Sequence, residues 1–304
     1  MSLPPKPWPT GTLERPERLV ARVLAPNASP YTFTGTQTYL VGDAQGLVVI
    51  DPGPDDAVHL AALRAAIGDT RVIAIACTHT HRDHSPGAAP LAAHTGAPII
   101  GCAPLTMDDD GPRADAAFDV SYRPDSVMGD GDVIEGTDFA LRAIATPGHT
   151  SNHLCYALEV GGDAPPVLFT GDHVMGWSTS VVAPPDGDMA DYLASLERLY
   201  AREDRLYYPA HGPVIDRPRQ LVRGMIGHRR SRERQILNLL AETSHAAPLP
   251  IADMVARMYR GLDERLWGAA GRSVLAHLID LERRDMAVRH SDTHWAPAKG
   301  GLNE

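Results

Sequence analysis

Cysteine is scarce: Cys77, Cys102 and Cys155 are the only three in 304 residues. They are too few and too scattered for a disulfide framework or a thiolate zinc knuckle, and a reducing cytoplasm is the simplest setting. No apolar run approaches the length of a bilayer-spanning helix, so no membrane role is expected. The first ten residues lack the apolar core of a secretory signal. There is no internal repeat and no low-complexity tract. Lysine is nearly missing too, with only Lys6 and Lys299, so basic character is almost all arginine. The net charge of −10 argues against a protein that coats nucleic acid nonspecifically. What is present, 43% hydrophobic and 22% charged residues, is the composition of a folded globular chain.

The charge is uneven. Residues 221–304 hold 13 Arg and Lys against 10 Asp and Glu, whereas the rest of the chain holds 15 against 28. Residues 1–18, with five prolines, read as an extended arm. Residues 19–217 alternate short apolar runs with helical stretches. Segments 20–24, 47–50, 72–76, 139–144, 154–158 and 167–169 have strand character. Segments 55–67 and 188–202 have helical character, and Asp188 suits an N-cap. The texture changes at 218. One long helix is expected over 219–242, weakened near Gly224 and Gly227, with further helices over 250–260 and 270–285. A small hairpin over 287–296 would follow. Three helices and a terminal hairpin suggest a winged-helix-like domain with its tail over 218–304.

Chemistry concentrates in Thr78-His79-Thr80-His81-Arg82-Asp83-His84, which follows an apolar strand. Residues two apart in an extended loop project to the same side, so His79 and His81 can bind one ion. The chain then turns, and Asp83 and His84 can reach a second. Four potential ligands in six residues are hard to explain by packing. Three later segments share one construction, an apolar strand ending at a glycine turn beside a ligand-type residue. They deliver His149 after Gly148, Asp172 after Gly171, and His211 before Gly212. If these strands end on one edge of a sheet, seven ligands converge. That is too many for one tetrahedral ion and about right for two ions sharing a carboxylate.

On these residues the sequence resembles the metallo-β-lactamase superfamily. His-X-His-X-Asp-His at 79–84, then His149, Asp172 and His211, match its binuclear hydrolase pattern in order and context. Residues 27–42 and 49–53 are also similar to its N-terminal strands. The resemblance implies an α/β fold, a four-layer αββα sandwich with two metals at one edge. It implies His79, His81 and His149 on the first ion, Asp83, His84 and His211 on the second, and Asp172 between them. Two cations about 3.5–4 Å apart can share a water and lower its pKa towards neutrality, giving a nucleophilic hydroxide. Asp83 can orient that nucleophile and accept its proton. Zinc suits this nitrogen and oxygen set, and manganese and iron are also compatible.

The tail and residues 170–196 resemble the β-lactamase-like protein 2 subfamily, whose animal members cut single-stranded RNA. Two substrate classes follow: an RNA phosphodiester, or a small thioester, ester or lactone. A true β-lactamase fits less well, because the secreted β-lactamases do not use a bridging carboxylate such as Asp172. A nucleic-acid-binding protein with a structural metal site needs only four ligands, and an iron oxygenase on this scaffold needs no second-site set.

Several residues near the pattern have two readings. Asp51 either orients a ligand histidine or simply forms a turn. His153 and His173 either contact substrate or make structural hydrogen bonds. Trp177 opens a loop that either lines a substrate groove or only connects. Arg229, Arg230, Arg232 and Arg234 either meet phosphates or form a solvated helix face.

Overall fold

The computed structural model describes residues 3–105, 118–162, 165–263 and 266–298. The expected tail at 299–304 lies outside them. The first sheet has seven strands in sequence order: β1 (Leu13–Glu17), β2 (Val20–Leu24), β3 (Gln37–Asp43), β4 (Gly46–Ile50), β5 (Val72–Cys77), β6 (Ile99–Gly101) and β7 (Ser126–Val127). Helices α1 (Ala57–Ile67) and α2 (Ala88–Thr95) make the crossovers between β4, β5 and β6. The second sheet runs β12-β11-β10-β9-β8, from β8 (Val133–Glu135), β9 (Phe139–Ala145), β10 (Leu154–Val160), β11 (Val167–Gly171) and β12 (Leu206–Pro209). Helices α3 (Met189–Tyr200) and α4 (Pro218–Ala241) follow β11 and β12.

Side-chain alternation explains the layering. In β10, Leu154, Tyr156 and Leu158 join the core that also holds Tyr39, Ile50 and Ile75 of the first sheet. Their neighbours Cys155 and Ala157 join a second core with Tyr192, Leu196 and Leu199 of α3. β11 divides likewise, with Val167 and Phe169 in the first core and Leu168 in the second. Both faces of the second sheet are therefore apolar and both must be covered. The first sheet covers one face and α3 with α4 covers the other. Leu63 and Leu91 from α1 and α2 pack on the first sheet, which completes a four-layer αββα sandwich.

The expected arm at 1–18 is corrected at its end. Leu13–Glu17 is an edge strand, with Leu13 opposite Val23 and Glu17 opposite Val20. Pro16 is tolerated there because an edge strand has one side without ladder partners. Glu14 and Glu17 fix it through ion pairs with Arg22 and Arg205.

The long helix α4 runs unbroken through Gly224 and Gly227, contrary to the expected weakening. Tertiary contacts hold it at both ends, and they belong to different cores. Val222, Met225 and Ile226 join the second core, beside α3. Ile236 and Leu240 join a third core with α5 (Ile251–Met258) and α6 (Trp267–Arg283). A three-stranded sheet closes this unit in the order β13 (Leu249–Pro250), β15 (His294–Pro297), β14 (Ala287–Arg289). The hairpin was legible, but β13 was not expected. The division placed at 218 in the sequence thus falls where α4 still belongs to the sandwich layers.

One turn next to the chemistry shows how tightly the layers meet. Gly148 has φ +130°, and a Cβ there would lie 2.3 Å from the Tyr192 backbone on α3. The start of α3 presses on this turn, because Asp188 N–H donates to Gly148 O at 3.0 Å. Gly148→Ala should therefore cost roughly 2–4 kcal/mol, from overpacking and an unfavourable φ. Urea unfolding measures this, and a loss below about 0.5 kcal/mol would show that the turn can give way.

Candidate metal centre

The His79–His84 loop leaves β5 at its C-terminal end, as expected. The other ligand turns, however, follow β9, β11 and β12, which belong to the second sheet. The expectation of a single sheet edge is corrected: the ligands meet across the seam between two sheets. Cross-sheet hydrogen bonds hold that seam. Leu154 N–H donates to Thr78 O at 2.8 Å, and Gln37 N–H donates to Ala210 O at 2.8 Å. Tyr156 O–H donates to Cys77 O at 2.9 Å. Cys77 itself is buried, which pushes its thiol well above the ordinary range.

All seven expected ligand residues come together in two groups, His79, His81, His149 and Asp172, and Asp83, His84 and His211. In the first group His79 Nε2 and His149 Nε2 lie 2.9 Å and 3.2 Å from His81 Nδ1. In the second, Asp83 Oδ2 lies 3.3 Å from His84 Nε2 and 3.2 Å from His211 Nε2. Asp172 faces both. Its Oδ2 is 3.6 Å from His149 Nε2, and its Oδ1 is 3.2 Å from His211 Nε2.

Outer hydrogen bonds decide which ring nitrogen is free. His84 Nδ1 donates to Asp51 Oδ2 at 2.9 Å, His149 Nδ1 to Val181 O at 2.6 Å, and His211 Nδ1 to Gly35 O at 3.2 Å. Thr78 Oγ1 donates to Asp51 Oδ2, so it accepts from His79 Nδ1 at 3.0 Å. Each of these four rings therefore commits Nδ1 to the outer bond and turns Nε2 inward, the arrangement typical of metal-ligating histidine. His81 is the exception and turns Nδ1 inward. Asp51 also accepts from Thr78 N–H at 2.7 Å, while its backbone takes the turn conformation with φ 49°. Asp51 thus takes the turn conformation and also accepts hydrogen bonds from His84 and Thr78.

The electrostatics differ between the groups. Burial holds His79 well below the usual imidazole range and His81 at about 3, with neighbouring histidines adding to the effect. These rings are neutral, with lone pairs crowded together. Burial also lowers His211, but Asp172 and Asp83 outweigh it and raise it to about 10. His84 is likewise pulled down by burial and raised overall by Asp83, Asp172 and Asp51. Burial raises both carboxylates, Asp83 and Asp172, but the facing histidines hold them well below the usual range. The 3.5 Å approach of His84 Nε2 to Asp172 Oδ1 is an ionic contact without hydrogen-bond alignment, because both atoms are buried and lack a hydrogen-bond partner.

The remaining candidates separate by position. His153 Nε2 accepts from Asp172 N–H at 3.2 Å, and its Nδ1 pairs with Thr146 Oγ1 at 2.9 Å. It holds the Asp172 backbone and does not line the cavity over the ligands. His173 also points away from that cavity. Its ring packs on Tyr192 at 4.7 Å between centroids, and burial lowers it to about 3. Trp177 stacks on Phe33 at 5.0 Å and lines neighbouring grooves. The cavity itself holds about 60 Å³ and has Tyr31, Phe118, Met175 and Val181 as its apolar walls. Sequence reasoning missed Tyr31, Phe118 and Met175, although Val181 lies in the loop that Trp177 opens, and it missed Thr36, whose Oγ1 donates to Asp83 Oδ2 at 3.1 Å.

Residues 31–211 match the family described as the metallo-beta-lactamase superfamily. The chain belongs to that superfamily. A second match, over residues 251–295, is to the beta-lactamase associated winged helix domain, which agrees with the third core and its small sheet. This superfamily member is 30% identical over 271 residues to a beta-lactamase-like protein 2 homolog of Drosophila melanogaster, covering 87% of this chain and 88% of that one. It is 32% identical over 250 residues to an atrochrysone carboxyl ACP thioesterase of Aspergillus chevalieri, covering 79% and 70%. A beta-lactamase domain protein from Burkholderia ambifaria has the same fold, with TM-score 0.76, 21% identity and coverage of 95% and 94%. Among the described residues, no helix is long and apolar enough to cross a membrane.

Proposed function

We propose that this superfamily member is a metal-dependent hydrolase of small thioesters or esters. The observation that carries the proposal is the convergence of seven ligand residues beneath a narrow, partly apolar cavity. The donor set fits a pair of divalent cations. Four Nε2 atoms are turned inward by their outer hydrogen bonds, and the buried Asp172 Oδ1 and His84 Nε2 lack partners. His79, His81 and His149 would hold one ion and Asp83, His84 and His211 the other, with one oxygen of Asp172 offered to each. Zinc ions there would supply charge that acidifies a water and polarises a carbonyl oxygen.

The chain's own groups do the rest. Asp83 keeps 27% of its side chain exposed and is held by Thr36, so it is placed to take a proton from the attacking water. Tyr31, Phe118, Met175 and Val181 would seat the apolar part of an acyl group and exclude bulk water. The 32% identical fungal thioesterase supports an acyl substrate.

The RNA reading loses part of its motive. Of the arginines expected to meet phosphates, Arg229 is buried, and Arg230 is paired with Glu197 at 2.6 Å. A zinc-loaded sample assayed in parallel on an N-acetylcysteamine thioester and a single-stranded RNA should favour the thioester by about 100-fold or more in kcat/KM, close to 3 kcal/mol. Efficient RNA cleavage with no thioester turnover would reverse the proposal.

A further inference from the structure

We propose that the cleft between the metal face and the winged-helix unit is a subsite for a terminal carboxylate at the far end of the substrate. This deepens the hydrolase reading and rests on it. The cleft is a cavity of about 350 Å³ and shares Tyr31, Met175 and Val181 with the cavity over the metal ligands. A molecule reacting at the ligands could therefore extend an arm into it.

His228, Arg229 and Arg232 of α4 line this cavity, and no Asp or Glu does so among the described residues. Arg229 is only 3% exposed. It donates to Ser180 O and, at 3.2 Å, to Ser273 Oγ, and its face lies 5.2 Å from the Tyr192 ring. Arg232 donates to Met258 O at 3.0 Å and to Gln235 Oε1 at 2.9 Å, with Tyr259 beneath it at 4.2 Å. Neither arginine makes an ion pair with a described residue. Arg229 Nε, Arg232 Nε and His228 Nδ1 are all buried without a hydrogen-bond partner.

Arg229, which is buried, and Arg232, which is half-buried, have no counter-ion among the described residues, and their carbonyl and hydroxyl partners offset the desolvation cost only in part. The complement to three clustered donors with no acceptor charge is an anion with several acceptor oxygens. The apolar walls shared between the cavities suit a hydrocarbon arm joining that anion to the scissile carbonyl. Burial, with Arg229 and Arg232 nearby, lowers the pKa of His228 and so favours its neutral form.

The test uses N-acetylcysteamine thioesters in matched pairs, hexanoyl against adipoyl and octanoyl against suberoyl, on the zinc-loaded full chain. At least one ω-carboxylate substrate should show a KM about tenfold lower than its neutral partner, the size expected of one charge-assisted contact. Arg232→Gln should raise that KM about tenfold, and His228→Gln should raise it less. Arg230→Gln, at an exposed surface pair, should leave both substrates as they were. Melting curves check that the variants fold. Calorimetry with dicarboxylates from succinate to suberate, against monocarboxylates of equal length and with and without zinc, reads the subsite independently of turnover.

Thioester turnover with no chain-end preference, and no gain for any dicarboxylate, would overturn the subsite while leaving the hydrolase reading intact. No turnover alongside dicarboxylate binding that Arg232→Gln weakens would do the reverse. RNA cleavage lost in Arg232→Gln, without any dicarboxylate preference, would assign the cleft to a phosphodiester backbone and overturn the proposal.

Discussion

Asp83→Ala should lower kcat by about 10²–10⁴-fold while the unfolding midpoint stays close to that of the parent chain. The size of the effect follows from its position. Asp83 is the ligand-group carboxylate with the larger exposure, 27% against 11% for Asp172, and it lines the cavity. It sits on a loop and takes no part in the three apolar cores. Its polar contacts are Thr36, His84 and His211, and the last two also face Asp172. The fold should therefore lose little, while the proposed proton acceptor is removed. Steady-state kinetics, a melting curve and metal content on one preparation check this. A parent-like kcat at full metal occupancy would remove Asp83 from the chemistry.

A chain ending at residue 217 should not fold stably. The loss is larger than a simple two-domain division implies, because Val222, Met225 and Ile226 of α4 and Ala276 of α6 complete the second core. Burying one such large side chain is worth roughly 1.5–3 kcal/mol, and whole domains are stable by only about 5–15 kcal/mol. Removing these partners would also expose Leu196, Leu199 and Tyr207 to water. Circular dichroism and proteolysis of the truncated chain provide the check. A cooperative transition within a few degrees of the parent would show that the catalytic layers stand alone.

The cluster of seven candidate ligand residues was legible in the sequence because each sits in a short local pattern. A strand delivers the chain, a glycine or a tight loop turns it, and the ligand follows. Such patterns survive without knowledge of the partner strand. The seam between two sheets was not legible, since β5 and β9 look alike as apolar runs and nothing local says which sheet each joins. The orienting groups were harder still. Gly35 and Val181 act through backbone carbonyls, and Thr36 and Thr78 through hydroxyls, which occur too commonly to be singled out. Asp51 could be suspected only because it ends an apolar strand. Pro16 hid the edge strand β1, because proline argues against a strand unless its edge position is known. The periodicity of α4 is continuous, so the change of partner between Ile226 and Ile236 left no mark. Arg229 looked like one more charge on a solvated face, and only the packing of α6 and the Ser180 loop reveals that it is buried.

The most direct measurement is the zinc content of the purified full chain by mass spectrometry, with hydrolysis of a neutral thioester followed on the same sample. The account predicts two zinc ions per chain, loss of both ions and of hydrolysis on chelation, and recovery of both when zinc is restored. One ion or none at full turnover, or hydrolysis that survives complete removal of metal, would contradict it.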